Sequence, residues 1–305
     1  MSGTAQQCIS DLRSQLASVL AGKADVIEQV LITLLSGGHL LIEDVPGVGK
    51  TTLAHALAAS LDSNFGRIQF TADLLPADII GVEIFDPAER RFVFHAGAIF
   101  HHIVLADEIN RATPKAQSAL LEAMAEGQVT VERETRPLPE PFFVIATQNP
   151  LEHMGTYPLP ESQLDRFFMR ISIGYPDQQA ERKVLLGQAG QVRLSKLRPV
   201  ASWQDIRLAQ AAVAALNVSE LLLDYLLQLL ETSRNGEWLK QGISPRAGRD
   251  LLQAARVHAW LAGQDYVTAA DVQSVWLPSL AHRVQASGDN EAALMALLES
   301  VPVPA

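Results

Sequence analysis

Lysine, threonine and two glycines stand together in Asp44-Val45-Pro46-Gly47-Val48-Gly49-Lys50-Thr51-Thr52, a set suited to holding a triphosphate. Pro46, Gly47, Val48 and Gly49 form a loop that can wrap closely with its amide hydrogens turned inward. Lys50 places a cation on the β- and γ-phosphates. Thr51 offers a hydroxyl to Mg²⁺, and the helix that starts here, with Thr52 in its first turn, aims its positive end at the anion. The strict pattern has Gly where Asp44 stands, so an ordinary Gly/Pro turn between strand and helix is the competing reading of this segment alone.

Downstream residues decide between the two. Asp107 and Glu108 follow the apolar run Ile103-Val104-Leu105-Ala106, which puts two carboxylates at the strand edge where open α/β sheets bind ligands. Asp107 suits the orientation of Mg²⁺ and its waters, and Glu108 suits polarising the water that attacks a γ-phosphate. Asn149 ends another apolar run, Val144-Ile145-Ala146, and can hydrogen bond that water or the γ-phosphate. Two arginines, Arg166 in Leu164-Asp165-Arg166-Phe167 and Arg246 in Ser244-Pro245-Arg246-Ala247, are candidates for phosphate contact. Spacing alone favours the alternative for both, a salt bridge with Asp165 or Asp250.

These residues need a scaffold, and the apolar pattern supplies one. Leu40-Leu41-Ile42, the runs at 103–106 and 142–146, and short segments at 67–70 and 168–173 read as strands. Helical spacing covers 53–61 and 116–125, so strands alternate with helices, which points to a mostly parallel sheet covered on both faces. Residues 6–35 read as two helices around a turn at Gly22. Alternating runs at 82–85 and 91–94, and the segment 128–132 that turns through Arg133, predict two β-hairpins. Beyond Pro176 strand signals fade and helical patterns at 221–233 and 249–262 take over. The expected domains are therefore 1–176, carrying the nucleotide site, and 177–305, with 194–202 as a linker or internal loop.

Length agrees with two domains, because 305 residues exceed the roughly 250–300 at which single cores stop growing. An apolar fraction of 48% with mean hydropathy +0.11 fits a globular chain, and no apolar run approaches the ~18–20 residues of a membrane span. No signal sequence opens the chain, so it is expected in the cytoplasm without direct membrane insertion. The single cysteine, Cys8, excludes an internal disulfide. A net charge of −10 weighs against bulk attraction to nucleic acid. His95, His101 and His102 are not spaced to share a metal, since neighbours on a strand point to opposite faces.

Taken together these segments resemble the MoxR family of AAA+ ATPases. Glu43 to Thr51 is similar to its Walker A segment, where a non-Gly first residue is usual. Ala106-Asp107-Glu108-Ile109-Asn110-Arg111-Ala112 resembles Walker B, and Ala146-Thr147-Gln148-Asn149-Pro150 resembles sensor 1. Gly155-Thr156-Tyr157-Pro158-Leu159-Pro160-Glu161 through Leu164-Asp165-Arg166-Phe167 resembles the arginine-finger region, and Ser244-Pro245-Arg246-Ala247 resembles sensor 2. The likeness runs from about residue 20 to residue 284. His153-Met154, and Gln264 before Asp265-Tyr266-Val267, depart from the family pattern without touching the core ATPase set.

The resemblance implies an AAA+ P-loop parallel sheet domain with β-hairpin inserts, followed by a smaller all-α lid domain. It implies ATP and Mg²⁺ as ligands, with Leu20, Ala21 and Gly22 holding adenine, Arg166 acting in trans and Arg246 in cis. It also implies a homo-oligomeric ring, usually a hexamer, with the hairpins facing a central pore, and Arg111 near the subunit interface. A chaperone-like role on client proteins follows, with a von Willebrand factor A-type domain partner. Two other functions compete: an ATP-gated binding module that hydrolyses slowly, and a nucleic-acid motor. The second hairpin offers a motor only Arg133 and Arg136, flanked by Glu132 and Glu134.

Overall fold

The protein is described from a computed structural model, which covers residues 2–150, 155–175, 178, 181–182, 194, 196–236 and 238–304. The domain boundary expected at 176/177 and the departure at His153-Met154 lie outside the described residues. Helices α1 (Ser2–Val19) and α2 (Ala24–Leu35) come first, joined through Gly22. β1 (Leu40–Glu43), α3 (Lys50–Ser60) and β2 (Phe65–Gln69) follow. A short α4 (Pro76–Ile80) leads into the hairpin β3 (Gly81–Asp86) and β4 (Arg91–Ala96). Then come β5 (Ile103–Asp107), α5 (Pro114–Glu126), the hairpin β6 (Gln128–Val131) and β7 (Glu134–Pro137), β8 (Phe143–Gln148), α6 (Glu161–Leu164) and β9 (Met169–Ile171).

Five of these strands form one sheet in the order β2-β5-β8-β1-β9, with each neighbouring pair parallel. Near-continuous apolar strands are what such a sheet requires, because both faces are covered. Alternation then sorts the side chains. Leu40, Ile42, Ile103, Leu105, Phe143 and Ile145 join one buried cluster, with α1, α2 and α3. Leu41, Val104, Ala106, Val144 and Ala146 point the other way, into a second cluster with Leu120 and Leu121 of α5. The two hairpins stand off this sheet as separate antiparallel pairs, registered Phe85 with Phe92 and Val131 with Glu134.

Past residue 200 the chain is helical: α7 (Trp203–Ala214), α8 (Glu220–Asn235), α9 (Pro245–Leu261), α10 (Ala269–Leu280) and α11 (Asn290–Ser300). Each of these begins on a side-chain cap, from Ser202, Ser219, Ser244, Thr268 and Asp289 respectively. Capping satisfies first-turn N–H groups and fixes where each helix starts. A short antiparallel ribbon, β10 (Leu239–Gln241) with β11 (Gln285–Ala286), adds strand to a domain whose sequence reads as helix alone. The lid shares the first buried cluster with the sheet, through Val213, Leu251, Trp260, Val272 and Trp276.

Two histidines are buried where lid and sheet domain meet. His39 stands before β1, with Nε2 3.2 Å from the Met124 carbonyl and Nδ1 accepting the Val144 N–H at 3.2 Å. His282 places Nε2 2.8 Å from the Phe167 carbonyl. Burial lowers both pKa values, to about 4 for His39 and about 3 for His282, with Arg246 and Arg283 respectively adding to the shift. The unfolded chain protonates these rings near ~6.5, so it binds more protons than the folded one below that pH. The stability they contribute is therefore full above about pH 6.5 and is lost as pH falls toward the folded values. Thermal melts between pH 7 and pH 5 should show a falling Tm, and His39→Gln should flatten that slope; an unchanged slope would contradict the assignment.

Candidate nucleotide site

β1 delivers the chain to the C-terminal edge of the sheet, and residues 44–49 turn it into α3. Gly47 and Gly49 have φ of 88° and 106°, a region where a side chain would be strained. α3 starts at Gly49 without a side-chain cap, unlike the lid helices, which leaves its first N–H groups for a ligand. They face a cavity of about 290 Å³ lined by Pro46, Gly47, Gly49, Lys50, Thr51, Thr52, Asp107, Glu108 and Asn149. Sequence-distant candidates thus meet in one place. Val48 packs its side chain on the core, so its backbone is what it can offer here. Leu20 is buried beside the loop, its Cδ2 3.7 Å from where a Cβ at Gly49 would lie. Gly22, in the turn between α1 and α2, has φ 77°.

Asp44, the mismatch in the motif, is buried and turned away from the cavity. Its Oδ1 accepts the Val45 N–H at 2.9 Å, and its Oδ2 accepts the Ser172 hydroxyl at 3.1 Å and the Gly174 N–H at 2.7 Å. The side chain thereby ties the start of the loop to the segment after β9. Lys50 donates to the Asp44 carbonyl at 2.8 Å. Burial lowers its pKa, while Asp44, Asp107 and Glu108 pull the other way. The neighbouring carboxylates favour the charged form and so oppose the effect of burial.

Asp107 ends β5, and its two oxygens are held from opposite sides. Oδ1 accepts the hydroxyl of Thr147, on β8, at 2.7 Å, and Oδ2 pairs with Arg67, on β2, at 2.8 Å. Glu108 has φ 56° and ψ 50°, a left-handed conformation unusual for a residue with a side chain. Its N–H donates to Thr147 Oγ1 at 2.9 Å, which fixes that turn. The Glu108 carboxylate accepts from Gln69 at 2.9 Å and pairs with Arg111 at 3.2 Å. Asn149, just beyond β8, is buried at the cavity wall. Thr147, Arg67 and Gln69 belong to this site but were not singled out in the sequence. Thr147 lies inside the sensor 1 segment, and β2's outward residues carry no motif at all.

Thr51 and Asp107 offer hard oxygen donors on one wall. Mg²⁺ takes one or two such ligands and completes its octahedron with phosphate and water, so the residues fit that ion. No group of three or more His, Cys, Asp or Glu among the described residues forms a metal cluster.

The two arginines lie elsewhere. A second cavity of about 450 Å³ is lined by Gly38, His39, Arg166, Arg246, Arg249, Arg256 and Arg283, among others. It opens at the N-terminal end of β1, while the Lys50 cavity opens at the C-terminal end. Four residues at about 3.3 Å each, roughly 13 Å of strand, lie between. Arg166 donates to the Leu121 carbonyl at 2.6 Å, and Arg246 sits 3.8 Å from Asp165 with its side chain 47% exposed. The salt bridge expected from spacing thus exists for Arg246, though it is long and solvent-facing. Arg246 does not line its own chain's Lys50 cavity, which departs from the cis role the resemblance implies. The physical reason is the docking of the lid, which sets the start of α9 against the opposite sheet end.

Comparison with known proteins agrees with this arrangement. The family model "ATPase family associated with various cellular activities (AAA)" matches residues 39–169, and an AAA lid domain model matches 231–299. YeaC, an uncharacterised protein of Bacillus subtilis, is 45% identical over 87% of this chain and 83% of its own length. Chaperone MoxR1 of Mycobacterium tuberculosis is 40% identical over 88% of this chain and 74% of its own. The chain belongs to the MoxR family of AAA+ ATPases. A crystal structure from Cytophaga hutchinsonii, 34% identical, covers 100% of this MoxR chain and 97% of its own with a TM-score of 0.91.

The MoxR hairpins also take definite form. Arg136 of β7 pairs with Glu83 at 3.1 Å and Glu134 at 2.6 Å, and lies 3.9 Å over the Phe94 ring. One guanidinium therefore fastens the two hairpins together. The outer surface of the first is apolar: Ile84 and Phe85 are each 50% exposed, Phe92 is 65% exposed, and the two phenylalanines meet edge to face at 5.4 Å. No helix among the described residues is long and apolar enough to cross a membrane.

Asp44→Ala should remove the bonds to the half-buried Gly174 N–H and to Ser172, a loss of roughly 0.5–1.5 kcal/mol. A Tm lowered by a few degrees, with weaker binding of a fluorescent ATP analogue, is the expected outcome of melting and titration. An unchanged melt would contradict the tie to the segment after β9.

Proposed function

We propose that this MoxR chain hydrolyses ATP in a site shared between neighbouring copies of a ring, and uses the cycle to remodel client proteins. The observation that carries the reading is the convergence of Lys50, Thr51, Asp107, Glu108 and Asn149 on one cavity at the C-terminal sheet edge. Lys50 and the α3 N-terminus bind the β- and γ-phosphates of ATP. Thr51 and Asp107 would hold Mg²⁺, which would supply charge neutralisation to those phosphates. Glu108 takes a proton from the attacking water as its oxygen bonds to the γ-phosphorus, and the bond to the β–γ bridging oxygen breaks to release ADP. Asn149 orients the water. Glu108 must first leave Gln69 and Arg111, which hold its carboxylate in this structure. Leu20 and Gly22 contribute to the adenine side of the same site.

Arg166 and Arg246 line a cavity at the far end of β1 from Lys50, so we assign both to the neighbour's nucleotide. For Arg246 this replaces the cis role. A trans arginine stabilises transition-state charge and is worth about 10³–10⁵ in turnover. A ring, with six copies as the family's usual number, gives each Lys50 cavity its arginines. A von Willebrand factor A-type partner and a cytoplasmic setting are carried by the family resemblance.

The exposed Phe85, Phe92 and Ile84 favour polypeptide over nucleic acid as the client. Arg136, one of the two basic residues of the second hairpin, is committed to Glu83, Glu134 and Phe94. The name Chaperone MoxR1, borne by a relative, agrees with a remodelling role.

Glu108→Gln should bind ATP with near-normal affinity and lose turnover by at least about 10²-fold, read by equilibrium titration and phosphate release; brisk hydrolysis by that variant would sink the proposal. Arg246→Ala should be inactive alone. Mixed with Lys50→Ala it should recover turnover, since Arg246→Ala chains keep a working Lys50 cavity and the Lys50→Ala neighbour keeps its arginine. No recovery would return Arg246 to its own chain's site.

A further inference from the structure

Arg283 is a guanidinium enclosed where the lid meets the turn that carries Arg166. It follows α10 and precedes β11, and its side chain is 2% exposed. Its Nε approaches His282 Nε2 at 3.3 Å, and its other contacts go to α9 and to the turn. Nη1 pairs with Asp250 of α9 at 2.9 Å, and Nη2 and Nε donate to the Phe167 carbonyl at 2.7 and 3.2 Å. Nη2 also approaches the Phe168 carbonyl at 3.4 Å, and Nη1 lies 3.7 Å from Asp165. The residues it grips, Asp165, Phe167 and Phe168, flank Arg166 on both sides.

A buried charge of this kind is costly unless fully satisfied, and a planar fork is what can span two carboxylates and two carbonyls at once. Among the described residues, the Arg166 side chain is steadied at its tip, by the Leu121 carbonyl. The backbone on which it stands makes the hydrogen bonds of its own turn, from Arg166 N–H to the Gln163 carbonyl at 3.2 Å and from Phe167 N–H to the Leu164 carbonyl at 3.0 Å, and a lid residue grips it from outside. His282 adds a bond to the same Phe167 carbonyl at 2.8 Å.

We propose that Arg283 is a positioning residue for Arg166, locking the lid to the turn so that the trans arginine reaches the neighbouring copy's γ-phosphate. The inference rests on the shared-site reading given above. A misplacement of about 1 Å far from the chemistry can cost about 10²-fold in rate, and the groups that bind ground-state ATP lie on the neighbour's Lys50 loop. Loss of Arg283 therefore acts on turnover and spares ATP affinity. Arg283→Lys keeps the charge but not the fork, so it belongs with the defective variants.

Steady-state hydrolysis by Arg283→Gln and Arg283→Lys rings should show kcat reduced about 10- to 10²-fold with KM for ATP nearly unchanged. Mixed with Glu108→Gln chains, which keep Arg166 and Arg283 intact, Arg283→Gln chains should regain turnover, because their own Lys50 cavities then face a well-placed arginine. Arg166→Ala mixed with Glu108→Gln is the reference. Recovery in the reference without recovery for Arg283→Gln overturns the positioning role, as does a change confined to KM. Failure of the reference overturns the shared site and the role of Arg283 with it. Should Arg283→Gln not fold, Asp250→Asn removes the charged partner that orients the Arg283 fork while keeping Arg283 itself. A reduced kcat at constant KM is then the supporting result, and unchanged kcat the opposing one.

Discussion

Strand β1 runs between two surfaces suited to phosphate, and its length keeps them apart. At its C-terminal end the chain turns through Gly47 and Gly49 into α3, and Lys50, Asp107 and Glu108 surround the opening. At its N-terminal end Gly38 and His39 border the arginines. A parallel sheet presents the same strand ends together along one edge, so every strand-end carboxylate or amide belongs to the first surface. Arg166 precedes β9 and pairs its neighbourhood with the start of β1, where Phe168 N–H donates to the His39 carbonyl at 2.8 Å. It is thus confined to the second. Arg166 and its own chain's Lys50 thus lie at opposite ends of β1, and the proposed sharing of the site between copies rests on that separation.

Within the first surface the acids are held in reserve. Asp107 and Glu108 would repel each other and any triphosphate if left bare, and the fold answers with Arg67, Gln69 and Arg111 on one side and the Thr147 hydroxyl on the other. The Arg67 and Arg111 side chains are 50% and 43% exposed, so solvent screens these pairs and each contributes little to stability. Weak pairs suit a site that must exchange partners. The strained backbone of Glu108 is the part that is fixed, by Thr147 beneath it, so the carboxylate can change hands while its Cα stays.

The hairpins obey the opposite logic. An isolated two-stranded ribbon is marginal in water, and neither hairpin belongs to the main sheet. Arg136 resolves this by combining two carboxylates and a ring face in one contact, so each ribbon braces the other. Phe94 and Ile80 turn inward to the second core cluster, while Phe85 and Phe92 are left to stack on each other outside. The surface that remains apolar therefore rests on a base braced by the Arg136 contacts.

Much of this was legible in the residues because it is periodic or local. The apolar runs gave the parallel sheet, alternation gave both hairpins, and loop chemistry around Lys50 gave the cradle. Asp107, Glu108 and Asn149 could be placed at one edge because each ends a buried strand. What periodicity does not encode is which strands are neighbours. Thr147 meets Asp107 only because β8 lies beside β5, and Arg67 and Gln69 meet the acids only because β2 closes the other side. The position of Arg246 escaped for a related reason: the orientation of a lid is set by packing across a whole domain face, through residues such as Trp276 and Leu251 that look like any core. Arg283 shows the limit most plainly. In sequence it is a basic residue after a helix, the usual place for a solvated charge complementing a dipole. Only the folded chain surrounds it with the carbonyls of Phe167 and Phe168, and so turns an ordinary helix-end cation into the fastening of a distant turn.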